Sequence, residues 1–268
     1  PDVVYDAVGT GVGSNFELNY LDPDFNIPSE WKYAIGATWT PDFNTGEGIF
    51  GGEWLFQADI LVSKSKDTAI VKRADLIQDG TRVVDGVTYP TYDSPNQDAF
   101  VLTNSDVGNE AFVASLGISK DWESGWGATF GYAYSDAKDV SPMTSSVAFS
   151  NYNNRAFLDP QEEVLATSNY NIKHRFSGSV SYTKDFWEDY DTRFFAFFQS
   201  SSGRPYSRVQ SGVANSIYNF TPFLGNGGNS ILLPGTERNE FTGPSWTKID
   251  LKISQDLPGL RKDDRAQV

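Results

Sequence analysis

From residue 32 onward, apolar and polar positions alternate with a period of two, in separate blocks of about ten residues, and this spacing predicts β-strands. Between 32 and 40, Tyr33, Ile35, Ala37 and Trp39 alternate with Ala34, Gly36 and Thr38. Between 53 and 63, Trp54, Phe56, Ala58, Ile60 and Val62 stand against Leu55, Gln57, Asp59, Leu61 and Ser63. A third block, 111 to 122, sets Phe112, Ala114, Leu116, Ile118 and Trp122 against Val113, Ser115, Gly117 and Ser119. After a tight Glu-Ser-Gly turn, Trp126, Ala128, Phe130, Tyr132 and Tyr134 oppose Gly127, Thr129, Gly131, Ala133 and Ser135. From 173 to 183, Phe176, Val180 and Tyr182 face away from Lys173, Arg175, Ser177, Ser179, Ser181 and Thr183. From 245 to 255, Thr247, Ile249, Leu251 and Ile253 face away from Lys248, Asp250, Lys252 and Ser254. The run "TRFFAFFQSSS" (192 to 202) is a further strand with phenylalanine at both parities, so the pattern assigns it no face; an eighth strand begins at Ala266. Stretches at helical spacing are nearly absent, which predicts few and short helices.

The connections alternate in length. "PDFNTGEG", "ESG", "FWEDYD" and "PGLRKDD" are short, whereas roughly 65 to 109, 138 to 171 and 203 to 243 are long. Connections in compact domains have a median of about 4 to 6 residues. Long and short links in strict alternation put every long one on the same side of a meander. Transmembrane barrels are built in this way, with an apolar face toward hydrocarbon, aromatic girdles at the headgroups and long loops outside. The girdle candidates are Trp39, Trp54, Trp122, Trp126 and Tyr134. A secreted β-sandwich binding module, with exposed Trp and Tyr stacking on carbohydrate, satisfies the same period and remains the alternative. The long loops carry "SPNQ", "SNYNN" and "LGNGGNS", and their polar, glycine-rich character requires no core of their own.

Composition narrows the functional classes. The 268 residues hold 24 Gly, 19 Phe, 13 Tyr and 7 Trp with a single Met, in keeping with an all-β chain. A formal net charge of -14 argues against nucleic acid as a partner, since phosphates recruit basic stripes. The absence of cysteine excludes disulfides and thiolate metal or redox sites. No apolar run approaches the roughly 18 residues of a transmembrane helix, a test to which transmembrane strands are nearly invisible.

Several segments together resemble a known family. "LDPDFNIPSEWKYAIGATW" (21 to 39), "GNEAFVASLGISKDWESGWGATFGYAYSDAKDVSP" (108 to 142), "LATSNYNIKHRFSGSVSY" (165 to 182), "SSGRPYS" (201 to 207) and "DLKISQDLPGLR" (250 to 261) are similar to the barrel of TonB-dependent receptors, in particular the Oar-like branch. The resemblance implies a 22-stranded barrel in the outer membrane of a Gram-negative cell, closed by a plug. Its partners would be outer-membrane lipid and lipopolysaccharide, the TonB complex reached through an N-terminal region, and an imported small molecule, oligosaccharide or peptide. A signal peptide, plug, TonB box and terminal aromatic residue have no counterpart here. Residues 1–268 are therefore expected to be one partial barrel domain of seven or eight strands from the C-terminal half of a transporter.

Little suggests an enzyme. His174 is the only histidine and sits within a strand, on the apolar parity, where a structural or interfacial role is expected rather than a catalytic triad. Glu162 with Glu163 and Asp189 with Asp191 are solvated loop charge rather than a glycosidase pair, whose spacing is spatial rather than sequential. "GTGVGSN" (9 to 15) lacks the lysine and the strand-to-helix context of a phosphate loop. The acidic stretch 1 to 31, with Asp2, Asp6, Glu17, Asp22, Asp24 and Glu30, has no regular calcium-ligand spacing. No metal or cofactor is expected. Lys173, Arg175, Lys248, Asp250 and Lys252 are the lumen-facing candidates for contact with a substrate or plug.

Overall fold

The computed structural model describes residues 17–43, 48–84, 86–93, 98–187, 190–210, 231–258 and 265–267. Seven long strands, β1 (Ser29–Trp39), β2 (Leu55–Lys66), β3 (Glu110–Asp121), β4 (Trp126–Asp139), β5 (His174–Trp187), β6 (Tyr190–Ser201) and β7 (Trp246–Pro258), form one antiparallel sheet with a short β8 (Arg265–Gln267). Each pairs with its neighbour in chain order. All six alternating blocks and the phenylalanine run became strands, with ends shifted by a few residues. Their lengths, 11 to 14 residues, exceed the average strand of about five or six.

The local reasons for the shifted ends are visible. β3 stops at Asp121 because Trp122 N–H bonds to the Trp126 carbonyl at 2.8 Å and Gly125 N–H to the Trp122 carbonyl at 3.0 Å, closing the turn. Gly125 has φ +87°, and a Cβ there would lie 2.2 Å from the Thr183 carbonyl oxygen, so this turn requires glycine. β4 runs on to Asp139 because Lys138 and Asp139 pair with the two-residue strand Ala166–Thr167. Trp54 falls just outside β2, between the small hairpin of Asp42–Phe43 with Gly52–Glu53 and Leu55.

Directly opposed residues share a face, so the register fixes what each face carries. One row runs Ile35, Ile60, Ala114, Tyr134, His174; the next runs Ala37, Ala58, Leu116, Tyr132, Phe176. A third runs Trp39, Phe56, Ile118, Phe130, Gly178, Phe198, Ile249. The opposite face carries Gly117, Gly131, Ser177, Gln199 and Lys248 in one row. β6 now has a face assignment: Phe194 and Phe198 join the apolar side, and Phe195 and Phe197 lie among the polar residues opposite Lys252 and Asp250. Among the described residues the sheet is open, with β1 paired on one side only.

In a meander of this kind, links 40–54, 122–125 and 188–189 leave one end and links 67–109, 140–173 and 202–245 the other. The long links differ from expectation. With Leu18–Leu21, which precedes β1, they build a layer of their own: a mixed sheet of Leu18–Leu21, Ala99–Asn104 and Ala69–Arg73, a hairpin of Ile77–Val84 with Val87–Asp93, and one described helix, α1 (Ala148–Asn153). Two small cores hold them together. Tyr89, Phe157 and Ile231 come from all three long links, and Val71, Phe100 and Tyr152 from the first two. The fully buried core of the chain thus lies mainly in its loops, where local polarity hid it, while the central long strands are mostly half-buried and the first is exposed throughout.

Candidate functional site

Two features stand out chemically: the apolar face of the long sheet, and the layer built from the long links. On the apolar face, Ile35 is 72% exposed, Leu116 58% and Leu251 78%, and Tyr33, Val62, Phe112, Phe130, Phe176, Val180, Ile249 and Ile253 are exposed beside them. The patch crosses seven strands. Contiguous apolar surface on this scale marks contact with a membrane or another protein. Between Trp54, Phe130 and Ile249 it dips into an apolar depression of about 410 Å³, floored by Ala128, Gly178 and Ala196.

Aromatic side chains border this face at both ends. At the short-turn end Trp39 packs at 5.3 Å on Phe56, Trp54 meets Trp122 edge-on at 6.2 Å, and Trp126 stacks on Tyr182 at 4.6 Å. Lys120, on the apolar parity, is buried there: its Nζ lies 5.3 Å from the Trp54 ring and 5.4 Å from the Trp122 ring, and it donates to the carbonyls of Gly51 and Glu53. The indole N–H of Trp122 donates to the Ile49 carbonyl at 3.0 Å, so the 48–54 segment is clamped onto β3. Tyr134 lies at the opposite end, beside Phe112 at 6.2 Å and His174 at 5.5 Å, with Trp31 and Tyr33 exposed on β1. The five predicted aromatics therefore divide into two belts, four in one and Tyr134 in the other. Sequence reasoning missed Trp31 and Tyr182 beside these aromatics and Lys120 as their cation; their parity and position toward strand ends were the available signal.

His174 is held in place by Tyr132. Its Nδ1 shares a 2.9 Å hydrogen bond with the Tyr132 hydroxyl, and its ring stacks on Tyr132 at 6.2 Å.

The polar face gathers four of the five charged candidates. Arg175, Lys248, Asp250 and Lys252 share it, and Lys248 pairs with Asp250 at 2.8 Å while both stay exposed. Lys173 precedes β5, and its carbonyl accepts a 3.0 Å bond from Ser135 N–H. Phe195 and Phe197 interrupt this face, so it is mixed rather than uniformly wet.

The loop layer holds the buried charges. Arg73, 5% exposed, is gripped by Asp75 through both Nε (2.9 Å) and Nη2, with Asp98 at 2.8 Å. Arg238 donates to the Asp139 carboxylate at 2.8 Å, tying the third link to the end of β4. Glu163 bonds Lys72, the Ser105 hydroxyl (2.7 Å) and the Asp106 N–H (2.7 Å); burial pushes its carboxyl up, yet the Lys72 ammonium and these donors hold it below the usual range. Glu162 lines a small cavity of the layer whereas Glu163 turns to Lys72, so these two adjacent carboxylates serve different surroundings; Asp191 pairs with Arg193 at 3.0 Å. Asp189, Asp2, Asp6 and "GTGVGSN" lie outside the described residues. Asp22 accepts from the Thr103 hydroxyl at 2.6 Å and from Asp24 N–H at 3.0 Å. Among the described residues no three histidine or acidic side chains are grouped so as to hold a metal ion. These buried pairs join residues up to 99 positions apart, a spacing that carries no local sequence signal.

No family model, curated protein or solved structure matches the chain.

Proposed function

We propose that this chain is part of the transmembrane wall and extracellular cap of an outer-membrane β-barrel transporter of the TonB-dependent kind. The observation that carries the reading is the exposed apolar face, bounded by an aromatic belt at each end, on a meander whose long links all leave the same end. Hydrocarbon accepts that face without cost, and about 9 to 11 tilted residues cross it, which strands of 11 to 14 residues satisfy. In a sandwich the same face would be covered, and among the described residues no second sheet packs on it. An open edge is not tolerated in lipid, so on this reading β1 pairs with a further strand of a larger barrel. The polar face with Arg175, Lys248, Asp250 and Lys252 would then line the lumen, and the loop layer would meet substrate first.

The test is surface topology in a Gram-negative host carrying the intact gene. A tag inserted beside Val147 in the loop layer should be reached by antibody on whole cells, and one at Ser124 only after the outer membrane is permeabilised. A host lacking TonB should lose any uptake the gene confers. Recovery of the protein in the soluble fraction, or equal access to both tags, would overturn the proposal.

A further inference from the structure

In the loop layer, one buried cation lacks a counter-ion. Arg155 is 5% exposed, its Nη2 donates to the Pro160 carbonyl at 2.5 Å, and its buried Nε has no partner. Arg73 and Arg238, about equally buried, each hold a carboxylate, whereas Arg155 makes no ion pair among the described residues. A guanidinium carries five N–H donors, and an unpaired buried charge is costly. Burial pushes the Arg155 guanidinium below its usual value, and the more distant charges of Asp159 and Glu163 do not restore it.

Arg155 also lines a cavity of about 90 Å³ at the meeting of the second and third long links. A water molecule occupies about 30 Å³ of liquid, so the space suits a few atoms more than a single water. Val140, Phe157, Leu158, Val164 and Leu232 supply apolar walls, and Arg238 a second cation. The nearby carboxylates limit what fits. Asp159 is engaged by the Tyr92 hydroxyl at 2.7 Å and the Gln161 N–H at 2.9 Å, Arg238 is neutralised by Asp139, and Glu162 and Glu237 stand at the wall. Asp159, Glu162 and Glu237 in the lining would repel a multiply charged phosphate more strongly than a single negative charge on an apolar stem, which the Arg155 guanidinium and the apolar walls suit better.

We propose that this cavity binds a carboxylate carried on a small apolar group, with Arg155 as the anchoring cation. The site stands on the loop layer alone and does not depend on the sheet spanning a membrane. Carboxylate and guanidinium pair through charge-assisted hydrogen bonds, which a neutral amide of the same shape does not reproduce.

The experiment is calorimetric titration of the full chain in detergent, with isobutyrate, isobutyramide and inorganic phosphate as probes. Isobutyrate should bind with one site per chain, and isobutyramide and phosphate at least about tenfold more weakly. Arg155→Gln should lower isobutyrate affinity by about tenfold or more while leaving the near-ultraviolet circular dichroism of the loop layer unchanged. Should that variant unfold, the wild-type contrast between acid and amide still decides. Equal binding of isobutyrate and isobutyramide, no binding of either, or unchanged affinity in a folded Arg155→Gln protein would overturn the proposal. Tighter binding of phosphate than isobutyrate would overturn the ligand class.

Discussion

Replacing Leu116 by arginine separates a lipid-facing sheet from a water-facing one by magnitude. Leu116 sits midway along β3, between Ala58 and Tyr132, and is 58% exposed. In water the substitution forfeits only the covered part of a leucine; full burial of that side chain stabilises by about 1.5–3 kcal/mol, so the loss is of order 1 kcal/mol. In a bilayer the same arginine meets hydrocarbon near mid-depth and costs about 2–4 kcal/mol. Ser179 is the control, since it lies on the opposite face between Thr129 and Phe197, where arginine should cost about 0–1 kcal/mol. Reversible urea unfolding from lipid vesicles, followed by tryptophan fluorescence, reads both values. A Leu116→Arg cost exceeding that of Ser179→Arg by 2 kcal/mol or so is expected. Equal costs would refute the face assignment.

Gly125→Ala should destabilise by at least about 1–2 kcal/mol, because φ is +87° and the new methyl would strike the Thr183 carbonyl; an unchanged denaturation midpoint would contradict the turn geometry. Asp75→Asn should cost about 3 kcal/mol or more in the loop layer, since it removes the carboxylate charge that grips buried Arg73 through Nε and Nη2, and thermal unfolding measures it. Glu163 has a depressed folded pKa, so its contribution is full above the ordinary carboxylate range and is lost as pH falls through the lowered value. Hydrogen-exchange protection factors of the loop layer should therefore fall on acidification below about pH 4.5, and Glu163→Gln should remove that component of the pH dependence.

The long sheet was legible because each of its strands states its own faces: the alternation of Phe112 to Ile118, or of Ile249 to Ile253, needs no knowledge of the partner strand. β6 was not, because phenylalanine at 194, 195, 197 and 198 satisfies both parities and only the register with β7 divides them. The loop layer was illegible for a different reason. Its cores bring Tyr89, Phe157 and Ile231 together from three separate links, each within an apolar stretch too short to show a period. Its charged groups read as solvent-facing loop charge, and only tertiary pairing shows that Arg73, Arg155 and Arg238 are buried. Lys120 was overlooked because a lysine among apolar alternates looks like an interruption, whereas two indole faces and two carbonyls enclose it.

The central claim is that one face of this sheet meets hydrocarbon and the other does not. The chain contains no cysteine, so each introduced one is a unique label. Single cysteines along β7, replacing Lys248, Ile249, Asp250, Leu251, Lys252 and Ile253 in turn, would carry nitroxide spin labels in the lipid-reconstituted protein. Collision rates with oxygen, which concentrates in lipid, and with a water-soluble nickel chelate should alternate with a period of two. Ile249→Cys, Leu251→Cys and Ile253→Cys should favour oxygen, and the three charged positions the chelate. Chelate access at all six positions would contradict a membrane-facing sheet.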